Sequence, residues 1–486
     1  MKDWINERKF HFITSIIIIS VFYFTLILNG RYYVDDFGRS ISGYSAWIIN
    51  GRPMAEVFMR FINFGMPLTD ISPLPQVIGI AFLSIAFGVL GFKIMPKSPV
   101  LISIVLSPIA LSPTFIANMA YKYDAATMCL SVLVAIVASC TTFKSKLISF
   151  ISCTFICIFF LSTYQPALNI YVIISILLLC IGNGESKRVL SEFYIKIFSL
   201  LSGMMLYKAI VAKITLSDDY NIKGSETYQI DNIIHGMQRN FRMYSNIIDS
   251  SISSPVQYLM WIIVFFSFIF LLKKALKLEK KSIHDYIYAF ALLFSPLAVC
   301  FMIYGPLLIL KNPVVHPRVL MGFGAAISFF LVLFLISTYK NICIALSSLL
   351  ILYFSGICYS FVNIQTSQDK YEEYLSRKIV DDLSKVSEKV DAITIIGSAG
   401  YTPEARLNMI KYPFLKYLMR ILINNNDKWG EVQLRHYDIK ERYAKDGERE
   451  IAISSYCKSS IINTHLDYNF YIYNKIAIID FDKKCN

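Results

Sequence analysis

Apolar runs of about 16–22 residues recur along most of the chain, separated by short polar stretches that carry lysine at alternate breaks. Runs of that length match the hydrocarbon core of a bilayer. There every backbone N–H and C=O must be satisfied within its own segment, so each run reads as a membrane-spanning helix. The pattern predicts about eleven spans, near residues 10–28, 74–92, 99–117, 125–142, 147–163, 167–182, 191–212, 256–272, 287–310, 319–338 and 342–362, with 191–212 the most amphipathic. Beyond 362 the periodicity becomes that of a soluble domain. Asp391–Gly397 reads as a buried strand ending in a glycine turn, 404–422 as a helix and Tyr471–Ile479 as a late strand. The expected architecture is a polytopic α-helical membrane domain over 1–362 and a small α/β or α+β domain over 363–486.

Composition agrees with the pattern. With 55% hydrophobic and 15% aromatic residues and a mean hydropathy of +0.52, an ordinary soluble protein is excluded. The first run is too long for a cleaved signal peptide and reads as a retained anchor. The net charge of +13 invites a nucleic-acid partner. Topology explains it better: Lys93/Lys97, Lys144/Lys146, Lys187/Arg188, Lys273/Lys274/Lys277/Lys280/Lys281 and Lys340 occupy alternate loops, with the basic N-terminal head. The rule that short cytoplasmic loops are positive places these inside, along with the N-terminus. The opposite side receives a first loop at about 29–73, turns at 118–124, 164–166 and 311–318, a further loop at about 213–255, and the domain from 363.

Candidate chemistry falls on that outer side. The first loop opens with Arg31-Tyr32-Tyr33-Val34-Asp35-Asp36-Phe37-Gly38-Arg39-Ser40, then Trp47 and Gly51-Arg52-Pro53. An ionised carboxylate is costly to bury near a membrane boundary, so Asp35 and Asp36 should meet water, a cation or a reacting group. Tyr121-Lys122-Tyr123-Asp124, Tyr164-Gln165-Pro166 and His316-Pro317-Arg318 lie at the same level. Each has a structural alternative. Asp35 and Asp36 would cap a helix or pair with Arg31 and Arg39, and Asp124 would cap a span or pair with Lys122. Arg39 and Arg52 would snorkel to head groups, while His316 would stiffen a turn. Of the ten cysteines, only Cys457 and Cys485 lie in the outer domain, which suggests one disulfide holding the C-terminus. Gly397-Ser398-Ala399-Gly400 lacks the lysine of a phosphate loop, and no metal-binding or nucleophile-elbow motif occurs.

The Asp-Asp-Phe-Gly-Arg-Ser run with Trp47 and Gly51-Arg52-Pro53, followed by Tyr-Lys-Tyr-Asp and Tyr-Gln-Pro, resembles the serotype-converting O-antigen glucosyltransferases of enteric bacteria and their phages. These are polytopic enzymes of GT-C character. The resemblance implies transfer of glucose from undecaprenyl-phosphate-glucose to a sugar of the lipid-linked O-antigen, at the periplasmic face of the inner membrane. It also implies dependence on a carrier-glucosylating enzyme and a flippase. By that pattern a first-loop acid, Asp35 or Asp36, is the general base. Arg318, His316 and Lys122 are candidates for the lipid phosphate, and Tyr164, Gln165 and Trp47 for sugar. No cofactor is implied, although paired carboxylates leave a divalent ion open. Another glycan-assembly enzyme, such as an O-antigen polymerase, is the alternative. A transporter would carry ionisable groups mid-span, where only Lys196 and Lys208 stand out.

Overall fold

The computed structural model describes residues 2–29, 31–217, 219–279, 281–337, 340–425, 429–437 and 439–485. Lys280 lies outside them. Contacts divide the chain into two compact units, Met1–Leu28 with Ser45–Tyr359, and Asn29–Tyr44 with Ser360–Asn486. The first loop therefore contributes to both.

The first unit is built of helices. Among the described residues six helices of the chain are long and apolar enough to cross a membrane: Glu7–Leu28, Leu74–Ile94, Ser186–Thr215, Ser254–Leu276, Ile283–Met302 and Lys340–Ser384. The bent pair Pro99–Leu111 and Pro113–Ala120 makes a seventh if taken as one span. The chain is a multi-pass membrane protein. Ala125–Cys140, Lys146–Leu161, Ala167–Ile181 and Gly322–Ser337 are apolar but have only 15 or 16 residues. That is about 23–24 Å of helix against a hydrocarbon core of roughly 30 Å.

Two expected continuous helices are broken, both by proline chemistry. The run over 99–117 divides into Pro99–Leu106, Pro108–Leu111 and Pro113–Ala120, with a bend of 69° before Pro113. Each proline sits at a helix start, where its missing N–H costs nothing, and Ser112 takes the extended backbone a residue before proline prefers. Gly324 allows the Gly322–Ser337 helix to approach this bend, since a β-carbon there would lie 2.1 Å from the Pro108 carbonyl oxygen. The run over 287–310 is helical only to Met302 and resumes as a 3-10 turn at Gly305–Ile309, with Pro306 following Gly305.

The second unit holds a five-stranded mixed sheet. Its strands are β1 (Ala392–Ile396), β2 (Arg442–Tyr443), β3 (Ile461–Thr464), β4 (Asn469–Tyr473) and β5 (Ile476–Asp480), in the order β2-β1-β5-β4-β3. β1 runs parallel to β2 and β5, while β4 is antiparallel to β3 and β5. Both faces are covered. Ile393 and Ile395 pack with Leu375, Ile379 and Leu383 of the long helix, whereas Ala392 and Ile396 pack with Ala452 and Tyr456. The single late strand expected over 471–479 is a hairpin instead, because Asn474 and Lys475 take positive φ (46° and 59°) and turn the chain between β4 and β5. The helix expected over 404–422 ends at Lys411, ahead of Pro413, and resumes as Leu415–Leu418. Cys457 and Cys485 form a disulfide, their Cα atoms 5.2 Å apart.

Candidate active site

In the first unit the later part of the first loop folds around Glu56. This buried carboxylate accepts the Ser45 hydroxyl, the Trp47 N–H at 3.1 Å and the Arg60 Nε–H at 2.8 Å. Glu56 and Arg60 lie one turn apart on the amphipathic helix Pro53–Ile62, and the neighbouring stripe packs Ala55 and Met59 against Trp47, Leu68 and Tyr123. The knot seats Trp47, and its indole N–H donates to Asp124 Oδ1 at 2.6 Å. Asp124 stands at the N-terminus of Ala125–Cys140 without a side-chain capping bond. Its carboxylate is thus held by a tertiary contact to Trp47 rather than by its own helix. Lys122, two residues earlier, pairs with Asp70 at 3.6 Å.

A second strand of the network runs from Gly51-Arg52 to the later turns. Arg52 Nε donates to Gln165 Oε1 at 3.1 Å, and its guanidinium lies 4.7 Å from the Tyr164 ring centroid. Gln165 Nε2 donates to the Tyr207 hydroxyl at 2.9 Å, which in turn donates to the Gly51 carbonyl at 2.8 Å. Gly51 has φ 74°, and a β-carbon would lie 2.7 Å from the Tyr207 oxygen, so glycine is required twice over. Tyr207 opens a π-helical segment, Tyr207–Ala212, within the Ser186–Thr215 helix, a distortion frequent at functional sites.

The turn before Gly322 closes the group. The Arg318 carbonyl accepts the Tyr164 hydroxyl and the Asn118 amide, each at 3.2 Å. The Arg318 guanidinium bonds the Tyr121 hydroxyl and lies 4.9 Å from that ring's centroid. His316 Nδ1 accepts the Arg318 N–H at 3.3 Å, leaving the proton on Nε2. Burial holds the Tyr164 hydroxyl above the ordinary tyrosine value, so it stays a donor. Asn118 Oδ1 is buried with no hydrogen-bond partner among the described residues. Trp47, Arg52, Lys122, Asp124, Tyr164, Gln165, His316 and Arg318 thus belong to one connected polar cluster of the first unit. Residues 45–73, 114–124, 164–165, 207 and 316–318 are brought together from across the sequence.

Asp35, Asp36 and Arg39 belong to the second unit. Val34 holds φ 49° and ψ −109°, the first inner position of a type II′ turn, where glycine is usual. The turn is fixed twice: Asp36 N–H donates to the Tyr33 carbonyl, and Asp36 Oδ2 accepts the Tyr33 N–H, both at 3.2 Å. Asp36 is fully buried, whereas Asp35 is half-buried. A β-branched residue at positive φ costs about 1–3 kcal/mol and persists only where its surroundings impose it, often near function. Arg39 lies 5.7 Å from the Tyr44 ring centroid. Anchoring comes from Arg31, which donates to Glu372 Oε2 and the Gln365 carbonyl, each at 3.0 Å. Tyr33 donates its hydroxyl to the Leu418 carbonyl at 2.9 Å, and Tyr32 stacks on His436 at 5.8 Å.

Sequence reasoning met Glu56 in the first loop and Tyr121 in its motif without giving either a role, and it did not single out Tyr207, Glu372 or His436. The Glu56/Arg60 spacing on an amphipathic helix was a usable signal. Nothing local marked Tyr207 or Glu372.

The sequence matches the family described as Glucosyl transferase GtrII over residues 24–330. The chain belongs to the GtrII glucosyl transferase family. This is the family that the first-loop motif resembles, and the match takes in every candidate residue from Asp35 to Arg318. A Salmonella phage P22 protein, described as an uncharacterized 55.3 kDa protein in the gtrB 5′ region, is 29% identical over 480 residues, covering 96% of this chain and 97% of its own length. No solved structure matches. Membership of GtrII makes the chain a glycosyltransferase, and its apolar helices make it a multi-pass membrane protein.

Proposed function

We propose that this GtrII member transfers glucose from undecaprenyl-phosphate-glucose to a sugar of the lipid-linked O-antigen at the periplasmic face of the inner membrane, the reaction of serotype conversion. In this reading the chain makes eleven passes, the four short apolar helices being completed by their flanking turns. The N-terminus is cytoplasmic and the residues from 363 are periplasmic. A carrier-glucosylating enzyme and a flippase supply the donor.

The observation that carries the proposal is the polar cluster of the first unit. Arg52, Lys122, His316 and Arg318 offer cationic and N–H groups for a departing lipid phosphate. Tyr164, Gln165 and the buried Asn118 Oδ1 offer the mixed donors and acceptors a sugar needs. Trp47 acts by holding Asp124. The reaction balances simply: the acceptor hydroxyl loses its proton to an aspartate as its oxygen bonds the glucose anomeric carbon, and the bond from that carbon to phosphate breaks. Asp35, the more exposed of the pair, is the base we assign, with Asp36 maintaining the turn.

A second reading makes Asp124 the base, since this buried carboxylate lies within the cluster and does not cap its helix. Lipopolysaccharide analysis of cells carrying Asp35→Asn, Asp36→Asn or Asp124→Asn separates the two. Loss of a general base lowers turnover by about 10²–10⁴-fold. On the first reading that loss falls on Asp35→Asn at unchanged membrane abundance, while Asp124→Asn, whose amide oxygen still accepts the Trp47 N–H, keeps most activity. The reverse pattern selects Asp124, and an unchanged O-antigen with the wild-type chain defeats the whole proposal.

A further inference from the structure

A cavity of about 1290 Å³ opens among helix ends of the first unit, at the lysine-bearing breaks and away from the cluster described above. Its cationic wall is Lys93, Arg188, Lys196, Lys273, Lys274 and Lys277, with Glu192 the one acid lining it among the described residues. Three of these lysines are structural. Lys93 bonds the Cys140 carbonyl, Lys196 the Ala138 carbonyl at 2.7 Å, and Lys274 the carbonyls of Cys180 and Gly182 at 2.8 and 2.7 Å. They satisfy carbonyls at the ends of Ala125–Cys140 and Ala167–Ile181 that have no intrahelical donor. Arg188 pairs with Glu192 at 3.2 Å. Lys273 and Lys277 stand one turn apart, exposed, and have no acidic partner among the described residues.

The same cavity has an apolar wall, formed by Leu178, Phe266, Phe270 and Ile342. Phe266 precedes Lys273 by seven residues on one helix, so the apolar wall reaches about 10 Å along the axis from the lysine level. Clustered cations raise the local potential for an anion. The adjoining hydrophobic wall favours an anion that carries a hydrocarbon chain over a fully hydrated one. Basic pockets between transmembrane helices bind phospholipid head groups in this way.

We propose that this cavity is a binding site for a lipid-borne phosphate, with Lys273 and Lys277 as its phosphate ligands and the Leu178–Phe266–Phe270–Ile342 wall receiving the start of the chain. The site is distinct from the glycosyl-transfer cluster, and the proposal stands whichever aspartate is the base. Native mass spectrometry of the detergent-solubilised full chain tests it, with phosphatidylglycerol, cardiolipin, a polyprenyl phosphate, diacylglycerol and inorganic phosphate as probes. A lysine near a lipid phosphate is worth about fivefold in affinity, so Lys273→Ser with Lys277→Ser should lower retention of the phosphate lipids by about thirtyfold. The Lys273→Arg/Lys277→Arg pair and Lys144→Ser, which lies outside the cavity, should match the wild type. A preference between polyprenyl phosphate and the glycerophospholipids identifies the source of the phosphate and supports the site. Equal retention by the Ser/Ser variant overturns the proposal, as does binding of diacylglycerol or inorganic phosphate as tight as that of the lipids. A common thermal midpoint for all variants distinguishes lost binding from lost folding.

Discussion

Removing Arg31 should release the segment that carries the Asp pair. Arg31 and Glu372 form an ion pair at 3.0 Å whose side chains are only 4% and 0% exposed. Glu372 also accepts Gln368 Nε2 at 2.9 Å and the Leu422 N–H at 3.1 Å through its other oxygen. Arg31→Met leaves that carboxylate buried with two neutral donors, a situation that costs about 3–5 kcal/mol. The loss should appear locally, because Asn29–Tyr44 is a short segment held by few side chains. Amide exchange on the full chain in detergent would then show protection over Arg31–Ser42 falling by roughly 10²–10³-fold or more. The informative variant is Arg31→Met with Glu372→Gln. Glutamine keeps an acceptor for Leu422 but removes the charge, so the double variant should recover most of the protection. If Arg31→Met changes protection less than about fivefold, or the double variant is worse than either single one, the ion pair is not what anchors the segment. On the proposed function, glucosylation should follow the same order across the three variants.

Two other predictions probe the rest of the machinery. Tyr207→Phe deletes the bonds to Gln165 and the Gly51 carbonyl while preserving ring packing; an unsatisfied buried acceptor costs about 1–3 kcal/mol, so kcat/KM in a membrane-based glucosylation assay should drop about fivefold or more, and wild-type kinetics would place Tyr207 outside the site. His436 is held below the ordinary histidine value by partial burial, with a bond to the Phe37 backbone opposing this. Its unfolded state therefore takes up a proton first, so its contribution is present above about pH 6.5 and declines as pH falls below it. Amide protection at Tyr32–Phe37 should weaken on acidification from pH 7 to 5.5 in the wild type and less in His436→Phe; identical pH profiles would contradict this.

What could be read from the sequence was what depends on local pattern. Span positions follow apolar periodicity, and the polar turns at 121–124, 164–166 and 316–318 announce themselves as charged or polar breaks at one level. The bend before Pro113 was not read, although Pro99, Pro108 and Pro113, which open three successive helices, marked it. What escaped depends on contacts between distant residues. Asn474-Lys475 sits inside an apolar, β-branched run, and only the pairing of β4 with β5 makes it a turn. Tyr207 lies in the most amphipathic span and earns its place through a glycine 156 residues earlier. The two adjacent aspartates looked equivalent as sequence, yet one backbone turn separates them: Asp36 is consumed by the Tyr33 N–H while Asp35 keeps part of its surface in solvent. That asymmetry carries a consequence for mutagenesis. Asp36→Asn retains an oxygen for the Tyr33 N–H and should preserve the turn, whereas Asp36→Leu removes the acceptor and leaves a buried donor unsatisfied, at about 1–3 kcal/mol. A catalytic Asp36 would be lost equally in both, so near-normal glucosylation by Asp36→Asn beside inactive Asp36→Leu would assign it the turn and leave proton transfer to another carboxylate.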